Sequence, residues 1–400
     1  MSKRLDLGTN GSHRAADPTG GVGRSDLRGG PNSLETKWDT VSLLSALKSL
    51  KTKHRHTKEV GHFCSLLQRP ALFLIAVVLL AISFAPQEKA RAADSTQMGA
   101  MPAACDRACL YGFVDRYLAA LVAKEPARLP WAARVKFTEN NVELPVGWGL
   151  WGTISSLGAE DLRAADPDTG QVAYYGVIDE RGTKSFFALR LKIADGKIAE
   201  AETIVDRKGY GPGPFGNPET LQPVPVMSED VPADRRRPRE RMISLADGYF
   251  NTLQLNDGQL FTQFTPDCSR RENGVWTAND PHPGSNPDPN LNLSAYGKIS
   301  CETGFKLGNY RWDDELRARR FPLVDEEKGL VLAGGFIDHA GKLEKYTTTD
   351  GVVHDSPLKS PHSFCFLETF KIQDGGIRHA EAVFITVPYH MPSPWFHQHE

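Results

Sequence analysis

An internal repeat constrains the fold of this chain more than any other feature. Residues 110–141 read as an amphipathic helix, a break and a strand that ends in Glu-Asn, and residues 242–274 repeat that pattern. Matching residues then recur in the same order further along both halves: Asp166 and Asp325, Gly170 and Gly329, Ile178-Asp179 and Ile337-Asp338, Lys192-Ile193 and Lys371-Ile372, Glu202 and Glu381. The repeat is much longer than a solenoid unit of roughly 20–50 residues. It therefore predicts a duplicated domain.

The bulk composition is that of an ordinary globular protein. The chain has 400 residues, of which 40% are hydrophobic and 24% charged, and its formal net charge is −2. This leaves room for two domains of about 100–200 residues each. A nearly neutral chain gives no electrostatic reason to expect a nucleic-acid partner. The basic run Arg235-Arg236-Arg237 therefore reads as a solvated linker.

The N-terminal part differs from the rest. Residues 1–69 are poor in aromatics and rich in Gly, Ser, Arg and Lys, so we expect a disordered extension. Residues 71–85 are apolar but shorter than the roughly 20 residues of a comfortable membrane span. With Arg69 before the run and Ala90-Arg91-Ala92 after it, residues 70–93 fit a secretory signal peptide and a secreted or periplasmic protein. The alternative is a membrane anchor formed by residues 71–85.

The cysteines agree with export. Oxidising compartments permit disulfides, and a Cys268–Cys301 bridge would close the long polar loop of the second repeat. Cys105 and Cys109 lie one helical turn apart, which is close enough for a second bridge. Cys365 lies in an apolar strand and is expected to be a buried free thiol. The chain contains no Cys-x-x-Cys pair, so no zinc site or other metal site is expected.

Each repeat begins with a helix and continues as a meander of strands, which predicts an α+β fold. The predicted organisation is domain 1 at residues 105–207, a linker at 208–240, domain 2 at 241–390 and an irregular tail at 391–400. The linker is rich in Pro and Gly, which is typical of a semi-extended spacer between domains.

This succession of helix, break, strand ending in Thr-Glu-Asn and curved sheet with a Lys-Ile-x-Asp-Gly-Lys-Ile turn resembles the SnoaL-like and ketosteroid-isomerase-like proteins of the nuclear-transport-factor-2-like superfamily. A tandem of such domains behind a signal also looks like a group of secreted bacterial and fungal proteins of poorly known function. The resemblance implies two cones, each a bent antiparallel sheet wrapped on its first helix, that form a pseudo-dimer. It also implies a pocket at the mouth of each cone, and association through sheet faces, including a possible homo-oligomer.

The resemblance also implies site residues. In ketosteroid isomerases a Tyr on the first helix donates to the substrate oxyanion, and an acid at the end of the next strand moves the proton. Tyr117 and Tyr249 match that Tyr, and Glu139 and Glu272 match the acid, although Glu replaces the usual Asp. Each residue also has a plain structural interpretation, as a core Tyr or a solvent-facing acid.

The last strand differs most between the repeats. His379 and Glu381 of the second repeat replace Glu200 and Glu202 of the first. Residues two apart in a strand share a face, so His379 and Glu381 can form a base with its orienter in the cone, or a rim ion pair. Arg320 can bind an anionic group or pair with a nearby acid, and His339 can line the pocket or belong to a turn. Domain 2 is therefore expected to hold the working pocket.

These residues favour a lyase or isomerase that needs no cofactor and transfers a proton on a small cyclic or aromatic molecule. No Gly-rich phosphate loop and no Gly-x-Ser-x-Gly elbow is present in the sequence. Two alternatives remain open: a non-catalytic module that binds an apolar small molecule outside the cytoplasm, and an interaction domain that uses an exposed sheet.

Overall fold

Two domains of the same topology follow one another in the computed structural model, which describes residues 105–281 and 297–396. Domain 1 contains α1 (Arg107–Ala123), β1 (Trp131–Glu139), β2 (Val142–Glu143), α2 (Leu150–Thr153), β3 (Ser156–Asp166), β4 (Gln171–Glu180), β5 (Thr183–Ala194) and β6 (Lys197–Asp206). A short linker helix, α3 (Pro225–Ser228), comes next. Domain 2 contains α4 (Arg239–Leu255), β7 (Phe264–Glu272), β8 (Val275–Ala278), α5 (Cys301–Leu307), β9 (Glu315–Asp325), β10 (Leu330–His339), β11 (Lys345–Thr347), β12 (Val353–Asp355), β13 (His362–Gln373) and β14 (Gly376–Val387).

The two main sheets have equivalent strand orders. The first is β2-β1-β6-β5-β4-β3 and the second is β8-β7-β14-β13-β10-β9. Within each sheet the first long strand lies parallel to the last, β1 beside β6 and β7 beside β14, and the other neighbours are antiparallel. The predicted α+β class and tandem duplication are confirmed. The parallel pair was not part of the predicted meander.

The first helix of each domain packs against the sheet of the same domain. Asp106 caps α1 by accepting a hydrogen bond from the backbone N–H of Cys109 at 2.8 Å, and the helix ends where Lys124 adopts a left-handed conformation. Its buried stripe includes Leu110, Tyr117 and Leu121, at the spacing of one helical face. The equivalent stripe of α4 includes Leu245 and Tyr249. Each stripe belongs to the hydrophobic core of its own domain.

The repeated Glu-Asn pair ends a strand in both domains. Asn140 and Asn273 both have positive φ, at 52° and 45°, which Asn tolerates better than most residues. The Asn273 side chain accepts from the N–H of Phe384 at 2.9 Å and donates to its carbonyl at 2.9 Å. Asn140 binds Val205 in the same way, at 2.8 and 3.1 Å. The recurring Asn therefore extends the parallel strand pairing by one residue.

The two sheets pack against each other through one face of each. A third hydrophobic cluster crosses this interface, with residues of both domains such as Tyr175, Phe186, Leu332 and Leu367. The predicted pseudo-dimer is confirmed, and it forms within one chain. Association of further copies through sheet faces stays a prediction.

A reciprocal pair of aspartates fixes the domains at this interface. Asp166 of domain 1 accepts from the N–H of Val324 at 3.0 Å and from the Arg239 guanidinium at 2.7 Å. Asp325 of domain 2 accepts from the N–H of Ala165 at 3.0 Å and from Arg107 at 2.6 and 2.7 Å. Each repeated Asp therefore contacts the opposite domain, and its Arg partner is the first residue of that domain's first helix, Arg239 of α4 or Arg107 of α1.

The linker packs against the domains that it joins. Met227 lies inside the interface cluster, and the backbone N–H of Val231 donates to the carbonyl of Glu327 at 2.8 Å. Pro212 and Pro214 pack over domain 2. Its Pro-rich sequence follows an extended path along the protein surface. The two sheets bury their faces directly against each other, so the linker does not separate the domains.

Two disulfides are present, Cys105–Cys109 and Cys268–Cys301, and Cys365 is a buried free thiol. Burial raises the pKa of the Cys365 thiol to about 12. Within residues 105–281 and 297–396, no helix combines the length and the apolar character needed to cross a membrane. The predicted N-terminal extension, the signal peptide or anchor at 70–93 and the last four residues of the tail lie outside the described residues.

Replacement of Asp325 tests the reciprocal contacts. Asp325→Ala removes the acceptor of the Ala165 N–H and the closest carboxylate partner of Arg107, which keeps Glu327 at 2.9 Å, and the Asp325 side chain is fully buried. We expect it to lower the free energy of unfolding by about 3 kcal/mol, measured by denaturant unfolding. Asp115→Ala removes an exposed ion pair with Arg163 and should cost less than about 1 kcal/mol. Equal effects of the two variants would contradict this role.

The disulfides should differ in their stabilising effect. Cys268 and Cys301 are 33 residues apart, whereas Cys105 and Cys109 are 4 apart. The loop-entropy relation gives about 4 kcal/mol for the first bridge and about 2 kcal/mol for the second. Denaturant unfolding of C268A/C301A and C105A/C109A should show the larger loss in the former. The reverse order would mean that strain or unfolded-state structure outweighs loop entropy.

Candidate functional site

The strongest candidate site is a cavity of about 60 Å³ on the helix-bearing side of the second sheet. Most of its wall is apolar, formed by Pro212, Pro214, Leu253, Trp312, Ile337, Pro357, Leu358, Phe364 and Phe384. A few polar side chains face the same space: Arg270, Glu272, Thr277, Tyr310, Asp313 and His339. An apolar pocket with a small number of converging polar groups is the usual form of a small-molecule site.

An ion pair at the end of β7 forms one wall. Arg270 and Glu272 are two residues apart and share the inner face of the strand, and the Arg270 Nη2 donates to the Glu272 carboxylate. Arg270 is buried, and its Nε and Nη1 donors find no partner among the described residues. Burial opposes its charge, but Glu272 and neighbouring groups raise the pKa of Arg270 well above the ordinary value. The cation also lies 4.8 Å from the centre of the Tyr310 ring.

A second acid lies behind Arg270. Burial and then the charge of Glu272 raise the pKa of Glu368, on β13, to about 8. Glu368 is hydrogen-bonded to the Tyr249 hydroxyl, and its Oε1 has no partner among the described residues. Glu368 is therefore mostly protonated at neutral pH and can donate a hydrogen bond.

A histidine–aspartate pair forms the opposite wall. The His339 Nε2 lies 2.7 Å from Asp313 Oδ1, and both side chains are buried. Burial raises the pKa of Asp313, although His339 opposes the shift. His339 stacks on His362 at 4.7 Å between ring centres, and its Nδ1 has no partner among the described residues. A His with one bonded and one open nitrogen can pass a proton.

Glu272 and His339 line the same cavity, whereas Tyr249 lies in the hydrophobic core of domain 2. Tyr249 packs against Phe250, Phe305 and Phe370 and lies behind the cavity wall. Desolvation raises its pKa well above the usual value. Tyr249 therefore does not line the cavity, and Tyr310 is the tyrosine that does.

His379 and Glu381 do not line this cavity either. They share a face, as predicted, but it is the opposite face of the sheet, because β14 pairs His379 with Ser269 and Glu381 with Arg271. Ala380 and Ala382 belong to the core of domain 2 instead. Arg320 likewise lies outside the cavity, where its Nη2 binds Glu202 across the domain interface.

In domain 1, Glu139 and Tyr117 occupy the positions of Glu272 and Tyr249, and both have structural roles. Glu139 accepts from the N–H of Leu150 at 2.6 Å and from Arg207 at 3.1 Å. Tyr117 packs edge-on against Trp131 and Trp151, at 6.2 and 5.4 Å between ring centres. Glu139 thus fixes the start of α2, and three aromatic rings fill the adjacent core.

One group of side chains has the spacing of metal ligands. Ligand atoms of Glu315, Asp338 and His390 lie within 4.8 Å of one another. Asp338 already accepts from Arg317 at 2.7 and 3.1 Å and from Ser363 at 2.5 Å. Its charge is therefore already compensated, and this group resembles a hydrogen-bonded network more than a metal site.

Comparison with known proteins gives similar structures and no activity. A family model described as a domain of unknown function (DUF8021) matches residues 235–384, which is domain 2 with the end of the linker. No curated protein matches the chain. Similar solved structures include IdmH, a putative polyketide cyclase from Streptomyces antibioticus, at 15% identity and a TM-score of 0.21, covering 24% of this chain and 91% of that one. A putative ketosteroid isomerase from Kribbella flavida DSM 17836 has 13% identity and a TM-score of 0.22, with coverage of 29% and 90%.

An NTF-2 like protein of unknown function from Burkholderia xenovorans LB400 has 9% identity and a TM-score of 0.20, with coverage of 29% and 94%. Identities and TM-scores this low say nothing about chemistry. Each match covers about one domain of this chain. Each repeat begins with a helix and continues as a six-stranded sheet, as expected for a duplicated α+β unit. Each domain is thus similar to SnoaL-like, nuclear-transport-factor-2-like proteins.

Sequence reasoning missed Arg270, Asp313 and Glu368. A signal for Glu368 was present, since a single acid interrupts the apolar run of β13, whose residues 362–372 are all buried. Such an acid needs a partner or a proton. Arg270 and Asp313 gave no comparable signal, because charged residues surround both in the sequence.

Glu368→Gln tests the protonated acid. Because the pKa of Glu368 is raised from 4.5 to about 8 in the folded state, folding stability should fall as the pH rises from about 4.5 through 8. Gln imitates the neutral acid, so the variant should match the parent at pH 5 and be more stable by up to about 3 kcal/mol at pH 7. Denaturant unfolding at several pH values measures this.

Glu344→Gln, at a largely exposed side chain, is the control and should leave the pH profile of stability unchanged. If the Glu368→Gln and parent profiles run parallel between pH 5 and 8, Glu368 does not hold a proton in the folded protein.

Proposed function

We propose that the domain 2 cavity binds the carbonyl end of a small apolar molecule and catalyses proton transfer beside that carbonyl. The observation that carries the proposal is a carboxylate and a buried guanidinium, Glu272 and Arg270, that face one apolar cavity. Abstraction of a proton beside a carbonyl needs a base near the C–H bond and positive charge near the oxygen. The class of reaction is isomerisation or lyase-type elimination on a cyclic or aromatic substrate.

Glu272 is the proposed base. It ends β7 beside the cavity, and its side chain is 18% exposed, so it can reach both substrate and solvent. When it takes a proton, Arg270 loses its carboxylate partner at the moment when negative charge develops on the substrate oxygen. The unpartnered Nε–H and Nη1–H of Arg270 are then the proposed donors to that oxygen. A fixed charge in a dry site stabilises such an oxyanion far more than it would in water.

His339 and Asp313 are the proposed second proton-transfer pair. Their buried contact orients the imidazole, and the open Nδ1 can return a proton to another carbon or to a leaving group. Tyr249 and Glu368 support Arg270 from behind. Since these side chains supply the base, the acid and the charge, the proposed reaction uses no cofactor.

The cavity volume restricts what can enter. About 60 Å³ is below the roughly 300–1,000 Å³ of typical ligand pockets, so the cavity accepts the reacting end while the rest of the ligand lies towards the opening. The apolar wall of the cavity also favours the second candidate, a module that binds an apolar molecule without transforming it. Either activity is proposed to take place outside the cytoplasm, which the two disulfides support.

Glu272→Gln separates the two functions. The probes are 3-cyclohexenone, whose isomerisation to the conjugated enone is followed by ultraviolet absorbance, and 2-naphthol, whose binding is followed by fluorescence. If Glu272 is the base, the variant should lose about 10²–10⁴-fold in rate and retain its naphthol affinity, because Gln keeps the shape of the side chain.

Glu139→Gln, the matched change in domain 1, should leave the rate as it was. Naphthol binding without turnover by the parent protein would assign the cavity to the binding module. Turnover that survives Glu272→Gln would contradict the proposed base.

A further inference from the structure

A second and larger cavity lies on the other face of the second sheet. Its volume is about 510 Å³, within the range of typical ligand pockets. Linker residues 217–226 form one side, and β7 and β8 form the other. Ser269 and Arg271 of β7 and Trp276 of β8 line it. Ser269 and Arg271 point away from the cone cavity because they alternate with Arg270 and Glu272 along β7, and Trp276 is next to Thr277, which lines the cone cavity.

Ser269, His379 and Glu381 form a hydrogen-bonded chain at this cavity. The Ser269 Oγ lies 2.8 Å from His379 Nδ1, and His379 Nε2 lies 3.1 Å from Glu381 Oε2. The strand register explains the geometry, since Ser269 lies opposite His379 in the parallel pairing and Glu381 follows two residues later on the same face. A hydroxyl on an imidazole that is held by a carboxylate is the arrangement of an activated nucleophile.

The electrostatic environment fits that arrangement. His379 is completely buried, and burial lowers its pKa, so its imidazole is neutral and able to accept a proton at neutral pH. Burial opposes ionisation of Glu381, but Arg271 outweighs it and lowers the pKa of that carboxyl. The Arg271 Nε binds both oxygens of Glu381, at 3.0 and 2.8 Å, which fixes the carboxylate.

Domain 1 shows that the fold does not require this chain of residues. By the same strand pairing, Lys136 takes the place of Ser269, and Glu200 takes the place of His379. The corresponding surface of domain 1 is covered by Trp395, whose Nε1 donates to Thr138 at 3.1 Å and whose ring lies 4.7 Å from the Lys136 ammonium. Domain 2 thus combines a Ser-His-Glu chain with an open cavity, whereas domain 1 has neither a Ser nor a His at these positions.

We propose that Ser269 is the nucleophile of a second catalytic site, which hydrolyses short-chain esters of polyhydroxylated alcohols such as sugars. The ester class follows from the Ser-His-Glu geometry. The alcohol class follows from the polar side chains that line the cavity, Asn217, Gln222, Asp267 and Asn279, beside the Trp276 ring. Amides and carboxylates bind hydroxyl groups, and an aromatic face packs on the apolar face of a sugar ring.

The reaction balances with water as the only co-substrate. The Ser269 oxygen attacks the ester carbonyl carbon while its proton passes to His379 Nδ1. The C–O bond to the alcohol breaks, and the alcohol leaves with that proton, which gives an acyl-Ser269 ester. Water then attacks the acyl carbon, His379 again takes and returns the proton, and the carboxylic acid and free Ser269 are released. The side-chain amides that line the cavity are the proposed donors to the oxyanion.

The test is covalent labelling of the intact protein with a fluorophosphonate, which reacts with activated serines, followed by mass spectrometry of the whole protein and of its peptides. We expect one adduct on Ser269, and hydrolysis of 4-nitrophenyl acetate that is lost together with labelling. Ser269→Ala and His379→Gln should each reduce that hydrolysis by about 10³-fold or more. Peptide mapping of the parent protein locates the adduct even if a variant fails to fold.

Ser228→Ala is the matched control, since Ser228 is exposed on the linker beside the cavity and is not part of the chain of residues. It should label like the parent protein. The proposal is overturned if the parent protein stays unlabelled under conditions that label a known serine hydrolase. It is equally overturned if the adduct maps to another residue, or if Ser269→Ala hydrolyses 4-nitrophenyl acetate like the parent. None of these results depends on Glu272, so the cone cavity is tested separately.

Discussion

The face-to-face burial of the two sheets, fixed by Asp166 and Asp325, determines the rest of this architecture. Each carboxylate accepts from a backbone N–H of the opposite domain and from the first Arg of that domain's first helix. Each Asp ends a strand, and it joins that strand to the first helix and to the sheet of the opposite domain. Because both aspartates recur at equivalent positions, the duplication created a self-complementary interface, as in a two-fold dimer.

This interface gives central strands such as β4 and β13 two buried faces with different surroundings. Towards the helix, the second sheet encloses the cone cavity with Arg270, Glu272 and His339. On the other side, the sheet carries Ser269, His379 and Glu381 and contacts the linker and domain 1. Ion pairs continue across this side, where Arg271 binds both Glu381 and Glu160 of domain 1, at 2.8 and 3.1 Å. One strand can therefore supply polar groups to two unrelated cavities.

The same two-sided burial explains what the sequence could and could not predict. The repeat and the helix stripes could be predicted because they depend on local spacing, and the Cys268–Cys301 pair could be predicted because it closes one long polar loop. The face occupied by His379 and Glu381 was not readable. Residues 382–387 of β14 are apolar at nearly every position, because both faces are covered, and alternation is lost. A register shift between Ile377 and His379 in the pairing with β7 also breaks the alternation, so that Ile377 lies in the core and His379 lies on the opposite face.

Comparison of the two copies indicates how one fold came to hold different sites. In domain 1 the strand-end acid Glu139 is used to fix the start of α2, and Trp151 and Tyr117 fill the adjacent core. In domain 2 the equivalent Glu272 has only Arg270 as a direct partner among the interactions described, and the space beside it stays open. Both copies have a Glu at this position, and the neighbouring residues determine whether it binds the start of a helix, as Glu139 does, or faces a cavity, as Glu272 does. Function in this fold is therefore a property of what surrounds the repeated residue, and the repeated residue alone does not reveal it.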